Sequence, residues 1–291
     1  MRYAACDVGT NSCRLLVAEV REDNKLNVLQ KEIVTTRIGE GLESSGWLRP
    51  AAINRTLNCL ESFVEVMRRQ QASQRVVAAT SAVREATNKE DFLVLAEERI
   101  GMRIEVLSGE QEGELSYLGA KKGLGLKGSP VLVDVGGGST EVIYQRRGIK
   151  STSIPVGAVR AWEGDWDEVE IKSRLAAELL ESPGSKTSPL VLVGGTATSL
   201  VAIKRGLTVY DPAQVQGQKL TLKEITALHT RLEKLTLDER RALPGLQPER
   251  ADIIGKGTLI LKCLMELIER KQARVSDSDL LDGLIWSLHN Q

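Results

Sequence analysis

Short apolar runs broken by acidic or glycine-rich turns open the chain. Residues 3–7, 13–21 and 26–34 read as three strands in close succession, with Asp23-Asn24 as the turn between the last two. Pro50 marks a helix start. Ile53, Leu57, Leu60, Val64 and Met67 follow at three- and four-residue steps, which predicts a helix with one apolar stripe. Residues 76–79 predict a buried strand ending at Thr80-Ser81, followed by a helix over 90–100, a strand over 103–107 and a helix over 110–121. The Gly- and Lys-rich stretch 122–129 (KGLGLKGS) predicts a linker.

Beyond it the pattern restarts, with strands over 131–134, 140–145 and 152–154, a helix over 169–181 and a loop over 183–189. A strand over 190–193 then runs into Gly194-Gly195-Thr196 and another helix. From Leu222 onward the pattern is mainly helical, with breaks near Pro244 and Pro248. A strand-rich start followed by βα units thus occurs twice, which predicts duplicated α/β domains flanking a cleft.

Two stretches stand out within this pattern, DVGTNS at 7–12 and DVGGGSTE at 134–141. Each joins two strand-like runs, and they lie 127 residues apart (134 − 7). Backbone N–H groups in such tight turns form an anion nest, and hydroxyls add donors around a phosphate. Asp7 and Asp134 repel phosphate and suit a divalent cation, held directly or through water. Taken singly, each Asp also fits a turn-closing hydrogen bond. Gly136, Gly137 and Gly138 before Ser139 permit close backbone approach to a ligand.

Composition narrows the function classes. Lys+Arg and Asp+Glu balance at 39 each, and 3% of residues are aromatic. That excludes nucleic-acid binding driven by bulk positive charge and argues against stacking platforms for bases. Cys6, Cys13, Cys59 and Cys263 form no CxxC pair and read as reduced, buried thiols. With only His229 and His289, zinc chemistry and a Ser-His-Asp triad are not expected. No run approaches the ~20 apolar residues of a membrane span. Asp7, Asn11 and Arg14 interrupt the N-terminus too early for a signal-peptide core, so a cytoplasmic enzyme is expected.

Further candidates sit at strand ends. Gly194-Gly195-Thr196 opens a helix, where unpaired N–H groups and the dipole favour an anion. Arg84 follows a buried strand and offers a planar fork for phosphate oxygens, or else a surface salt bridge. Ser108-Gly109-Glu110-Gln111-Glu112 starts a helix where α/β folds place chemistry, and where acids also serve as caps. Gly255 and Gly257, inside an apolar helical stretch, point to close helix contact or, less simply, a ligand.

Six ordered motifs, DVGTNSCRLLV, ATSAVREATN, VLSGEQEGELSYLGA, VLVDVGGGSTEVI, IPVGAVR and LVGGTATSLVAI, resemble the exopolyphosphatase / guanosine pentaphosphate phosphohydrolase (Ppx/GppA) family over nearly the whole chain. The resemblance implies two ribonuclease-H-like domains of the actin-like ATPase superfamily around an interdomain cleft, over residues 1–121 and 122–291, in a short form without added C-terminal domains. It implies Mg²⁺-dependent release of terminal phosphate from inorganic polyphosphate or of the 5′ phosphate of guanosine pentaphosphate. Glu112 matches the catalytic Glu. Asp134 and Glu141 match the acids of the second phosphate motif, Glu141 as a second catalytic candidate and Asp134 as a metal-holding one, with Asp7 a metal candidate in the corresponding place of the first. Thr10, Asn11, Ser12, Arg84, Gly136, Gly137, Gly138, Ser139, Gly195 and Thr196 match positions along the phosphate path.

Three departures bear on substrate preference or packing: Gln111 where the family often has Glu, SDSDLLDG for a pattern like SDxGLREG, and a short stretch after Arg160. Scarce aromatic residues favour polyphosphate over a guanine-bearing substrate. A kinase or ATPase of the same superfamily and a non-catalytic guanosine tetra- or pentaphosphate sensor are the alternatives. A homodimer is a further expectation.

Overall fold

The computed structural model describes residues 1–23, 25–179 and 188–290. The chain divides into two compact units, 1–123 with 279–291, and 124–278.

In the first unit, β1 (Arg2–Val8), β2 (Ser12–Val20) and β3 (Leu26–Thr35) form an antiparallel meander. β4 (Gln74–Ala79) and β5 (Ile104–Val106) extend the sheet in parallel on the other side of β1, giving the order β3-β2-β1-β4-β5. Alternation assigns the faces. Ala4, Cys6, Val8, Leu15 and Val17 pack with Phe63, Met67 and Phe92 from the helices Pro50–Arg69 and Lys89–Ile100. Every stripe residue of the first of these helices is buried, as its spacing predicts.

Tyr3, Ala5, Leu16, Ala18, Val76 and Ala78 point the other way and meet Leu280, Leu281, Leu284 and Ile285 of the last helix, Leu280–His289. Without that helix the second face of the sheet would lie bare. The sequence boundaries assign the whole of 122–291 to the second domain, but residues 279–291 pack with the first unit. The physical reason is this uncovered sheet face.

The last helix approaches the helix Gly109–Gly123 so closely that a Cβ on Gly119 would strike the carbonyl oxygen of Asp279. One on Gly283 would strike that of Leu115. The chain leaves the first unit after Gly123, inside the expected linker, although the helix runs through Gly123.

In the second unit, β6 (Val131–Val135), β7 (Thr140–Gln145) and β8 (Ile149–Ile154) repeat the meander. β9 (Leu190–Val193) pairs in parallel with β6. β10 (Lys219–Thr221) and β11 (Gln272–Val275) complete the order β10-β11-β9-β6-β7-β8. With β10 set aside, this is the order of the first sheet, so both sheets have the ribonuclease-H-like arrangement.

β11 falls where the pattern predicts mainly helix, and β10 lies just before that stretch. β11 has only four residues and gains its strand state from pairing with β9 through Arg274↔Val191 and Val275↔Leu192. A short helix, Ala158–Glu163, also goes unforeseen. The helix expected over 169–181 runs over Glu168–Glu178; its expected end, most of the 183–189 loop, and Asn24 lie outside the described residues.

Gly119→Ala should destabilise the chain by about 2 kcal/mol or more, because the obstacle is backbone and cannot rotate away. Chemical denaturation checks this. Ala is the better helix former, so wild-type stability in the variant would contradict the close packing.

Candidate functional site

In both units the candidate residues gather at the C-terminal edge of the parallel strands, where α/β sheets place their sites. In the first, Thr80 N donates to Val8 O and Leu107 N to Ala79 O, at 3.3 and 2.9 Å, aligning the ends of β1, β4 and β5. Gly9 N donates to Ser12 O at 3.1 Å and closes the β1–β2 turn. Gly136 N donates to Ser139 O at 2.9 Å and closes the β6–β7 turn in the same way. The sequence repeat is therefore a repeat of backbone geometry.

The charges across the two turns differ. Asp7 faces Arg14 in the β1/β2 register, whereas Asp134 faces Glu141 in β6/β7. Arg14 Nε and Nη2 both donate to Asp7 Oδ2, at 2.9 and 2.8 Å, and Nη1 donates to Asp279 Oδ2. Asp7 Oδ1 and Asn11 Oδ1, on either side of Gly9 and Thr10, are buried with no hydrogen-bond partner. Burial pushes the Asp7 carboxyl above its ordinary range, outweighing the Arg14 guanidinium that pulls it down. Asp279 is also pushed up by burial, but Arg14 and Lys31 prevail and hold it low. Burial likewise pushes the neighbouring Cys6 thiol well up, so thiolate chemistry has no place at this turn.

Arg84 lies in the short helix Ser81–Glu85 after β4. Its Nη1 donates to Leu107 O at 2.8 Å and to Glu112 Oε2 at 2.9 Å. Arg84 thus makes an ion pair, part-buried rather than on the surface, and its partner is the candidate catalytic acid. Glu112 sits in the first turn of the helix Gly109–Gly123 and is only 9% exposed. Ser108 N donates to Gln111 Oε1 at 2.9 Å and Gln111 N to Ser108 Oγ at 3.1 Å. Gln111 is thus the reciprocal cap of this helix, a task Gln and Glu perform alike, which accounts for that departure.

In the second unit, Glu141 is buried and its Oε1 accepts from Ser139 Oγ at 2.7 Å and Ser153 Oγ at 2.8 Å. The glycine turn is braced from behind. Ala158 N donates to Gly136 O, Val159 N to Gly137 O and Arg160 Nε to Gly138 O, at 2.9, 2.8 and 2.9 Å. The IPVGAVR motif is this brace, and a Cβ on Gly157 would collide with the Gly137 carbonyl. Gly194 opens the helix Gly194–Arg205 at φ +81°, with Asp134 Oδ1 lying where its Cβ would be. Thr196 packs on Gly257, so that glycine serves helix contact.

Arg250, which sequence reasoning missed, lays its guanidinium against Gly195 and brings a cation to the helix start. It follows Pro248 in a 3-10 turn that has no local signal of its own. Asp279, noted only as a departure, joins the Arg14 network.

A divalent cation fits both turns. Asp134 and Glu141 are like charges on facing residues, an arrangement that costs stability unless a cation offsets it. Asp7 Oδ1 and Asn11 Oδ1 are buried acceptors in need of a donor or a cation. Among the described residues no three or more His, Cys, Asp or Glu cluster as a closed cage. Mg²⁺ takes one or two carboxylates and completes its shell with water and phosphate oxygens.

Residues 16–291 match the family described as the Ppx/GppA phosphatase family. The chain belongs to this family. Exopolyphosphatase 2 of Mycobacterium tuberculosis is 35% identical, over 99% of this chain and 98% of its own length. The guanosine-5′-triphosphate,3′-diphosphate pyrophosphatase of Vibrio parahaemolyticus is 28% identical, over 98% of this chain and 59% of its own length. The crystal structure of the Aquifex aeolicus member of the Ppx/GppA family superposes with a TM-score of 0.82 at 29% identity, covering 100% of this chain and 98% of that one.

Gly194→Ala should lower stability by about 1 kcal/mol for the left-handed backbone alone, and more as Asp134 is displaced. A thermal melt reads the loss. An unchanged midpoint would show that the carboxylate does not rest on this glycine.

Proposed function

We propose that the chain is an Mg²⁺-dependent hydrolase that removes terminal phosphate from a phosphoanhydride chain, with inorganic polyphosphate preferred over guanosine pentaphosphate. The observation that carries this reading is the part-buried Arg84–Glu112 pair at the C-terminal edge of the first sheet of a Ppx/GppA fold. A buried carboxylate whose one oxygen is anchored by a guanidinium is held in a fixed orientation, as a group that orients or deprotonates an attacking water must be. Turn amides at 9–12 and 136–139, with the hydroxyls of Thr10, Ser12 and Ser139 and the helix start at Gly195 and Thr196, suit phosphate oxygens.

Asp134 and Glu141, and Asp7 in the first turn, are the residues that would hold Mg²⁺, which when bound offsets charge on the leaving phosphate. The preference for polyphosphate rests on the 3% aromatic content, which leaves little to stack a base, and on the mycobacterial relative's name. The Vibrio relative's name supports the alternative.

Among the described residues no helix is long and apolar enough to cross a membrane. All four cysteines are free and buried, which supports the reducing cytoplasm as the working compartment.

Glu112→Gln should keep KM within about threefold and lower kcat by about 10²–10⁴-fold, measured as phosphate released from polyphosphate of defined length. Wild-type turnover would remove Glu112 from the chemistry. Chelation of divalent ions should stop release, and added Mg²⁺ should restore it. Undiminished release in excess chelator would exclude the metal. Rates on polyphosphate and guanosine pentaphosphate, measured side by side, decide the substrate.

A further inference from the structure

An isolated Arg–carboxylate pair favours two parallel bonds, one to each carboxylate oxygen. The Arg14–Asp7 pair departs from this. Nε and Nη2 converge on the single oxygen Oδ2, and Oδ1 is left buried without a partner. On the other side of the guanidinium, Nη1 is held by Asp279 Oδ2.

Asp279 is itself fixed. It is the N-cap of the last helix, and its Oδ1 accepts from Leu281 N at 3.1 Å. The guanidinium is therefore anchored at both ends, and any turn toward Asp7 Oδ1 would strain its bond to Asp279. Asp279 also adds a second negative charge to a pair that alone would be neutral. Lys31 on β3 acts on Asp279 as well, but it is partly exposed and screened by solvent.

We propose that Asp279 is a positioning residue for the first acidic turn: by holding Arg14 to one side, it leaves the buried Asp7 Oδ1 without a guanidinium donor, as an acceptor for a divalent cation or a cation-bound water. This rests on the reading of Asp7 as a cation-holding residue. Asn11 Oδ1, the second unpartnered buried oxygen of the same turn, is the companion acceptor.

The test uses the full chain with Mn²⁺ as probe, its binding followed by electron paramagnetic resonance without substrate. Asp279→Asn keeps a good cap but turns a donor or an uncharged oxygen toward Arg14. It should weaken the Mn²⁺ site by about tenfold, the scale of an outer-shell partner. The Mg²⁺ needed for half-maximal phosphate release should rise in parallel, with kcat at saturating Mg²⁺ within about twofold. In an Arg14→Gln background the same change should have no further effect, because Asp279 acts through Arg14.

Asp7→Asn separates the proposal from the reading beneath it. If that variant binds Mn²⁺ like the wild type, Asp7 is not at a cation site and both fail. If it binds weakly while folded Asp279→Asn binds normally, the positioning role alone is overturned. Should Asp279→Asn not fold, Asp279→Ser, also a capping residue, takes its place in the comparison.

Discussion

The backbone bond from a glycine N–H to a serine carbonyl, made at both acidic turns, is the constraint from which the rest of the site follows. It fixes where each hairpin reverses and therefore which residues face each other across it. A slip of one residue would send every side chain to the opposite face and would part Asp7 from Arg14 and Asp134 from Glu141. The two turns share this frame but not its charges. One sets an arginine opposite its aspartate, and the other sets two acids face to face.

The C-terminal helix links the core to this chemistry. It is apolar on the side that covers the first sheet, and glycine at 119 and 283 lets it settle against the helix Gly109–Gly123. Its N-cap, Asp279, divides its two oxygens between the helix start and Arg14. Burial of a sheet face thereby delivers a carboxylate to the arginine of the first acidic turn, and a residue that differs from the family pattern acquires a physical role.

Much of the site was legible in the sequence because it is local. Strand, acidic turn, strand is a contiguous signal, as is a capping sequence that places Glu112 in a first helical turn. The apolar stripe of the helix Pro50–Arg69 was equally plain. Less was legible where a segment's state depends on a distant neighbour. Residues 272–275 carry too few positions to show a period and become a strand by lying beside β9. The departures at Gln111 and Asp279 could be noticed but not interpreted until their partners were known.

The sequence by itself determined the duplicated α/β architecture, the two acidic hairpin turns and the family, since each is written in short, ordered motifs. Only the tertiary structure decided that the last helix completes the first unit, that Arg250 lies on Gly195, that Arg84 holds Glu112, and that Arg14 is shared between Asp7 and Asp279. Local patterning encodes which face of a segment is buried. It does not encode the partner, because Arg14 and Asp279 are brought together only when a sheet face near one end of the chain is covered by a helix from the other.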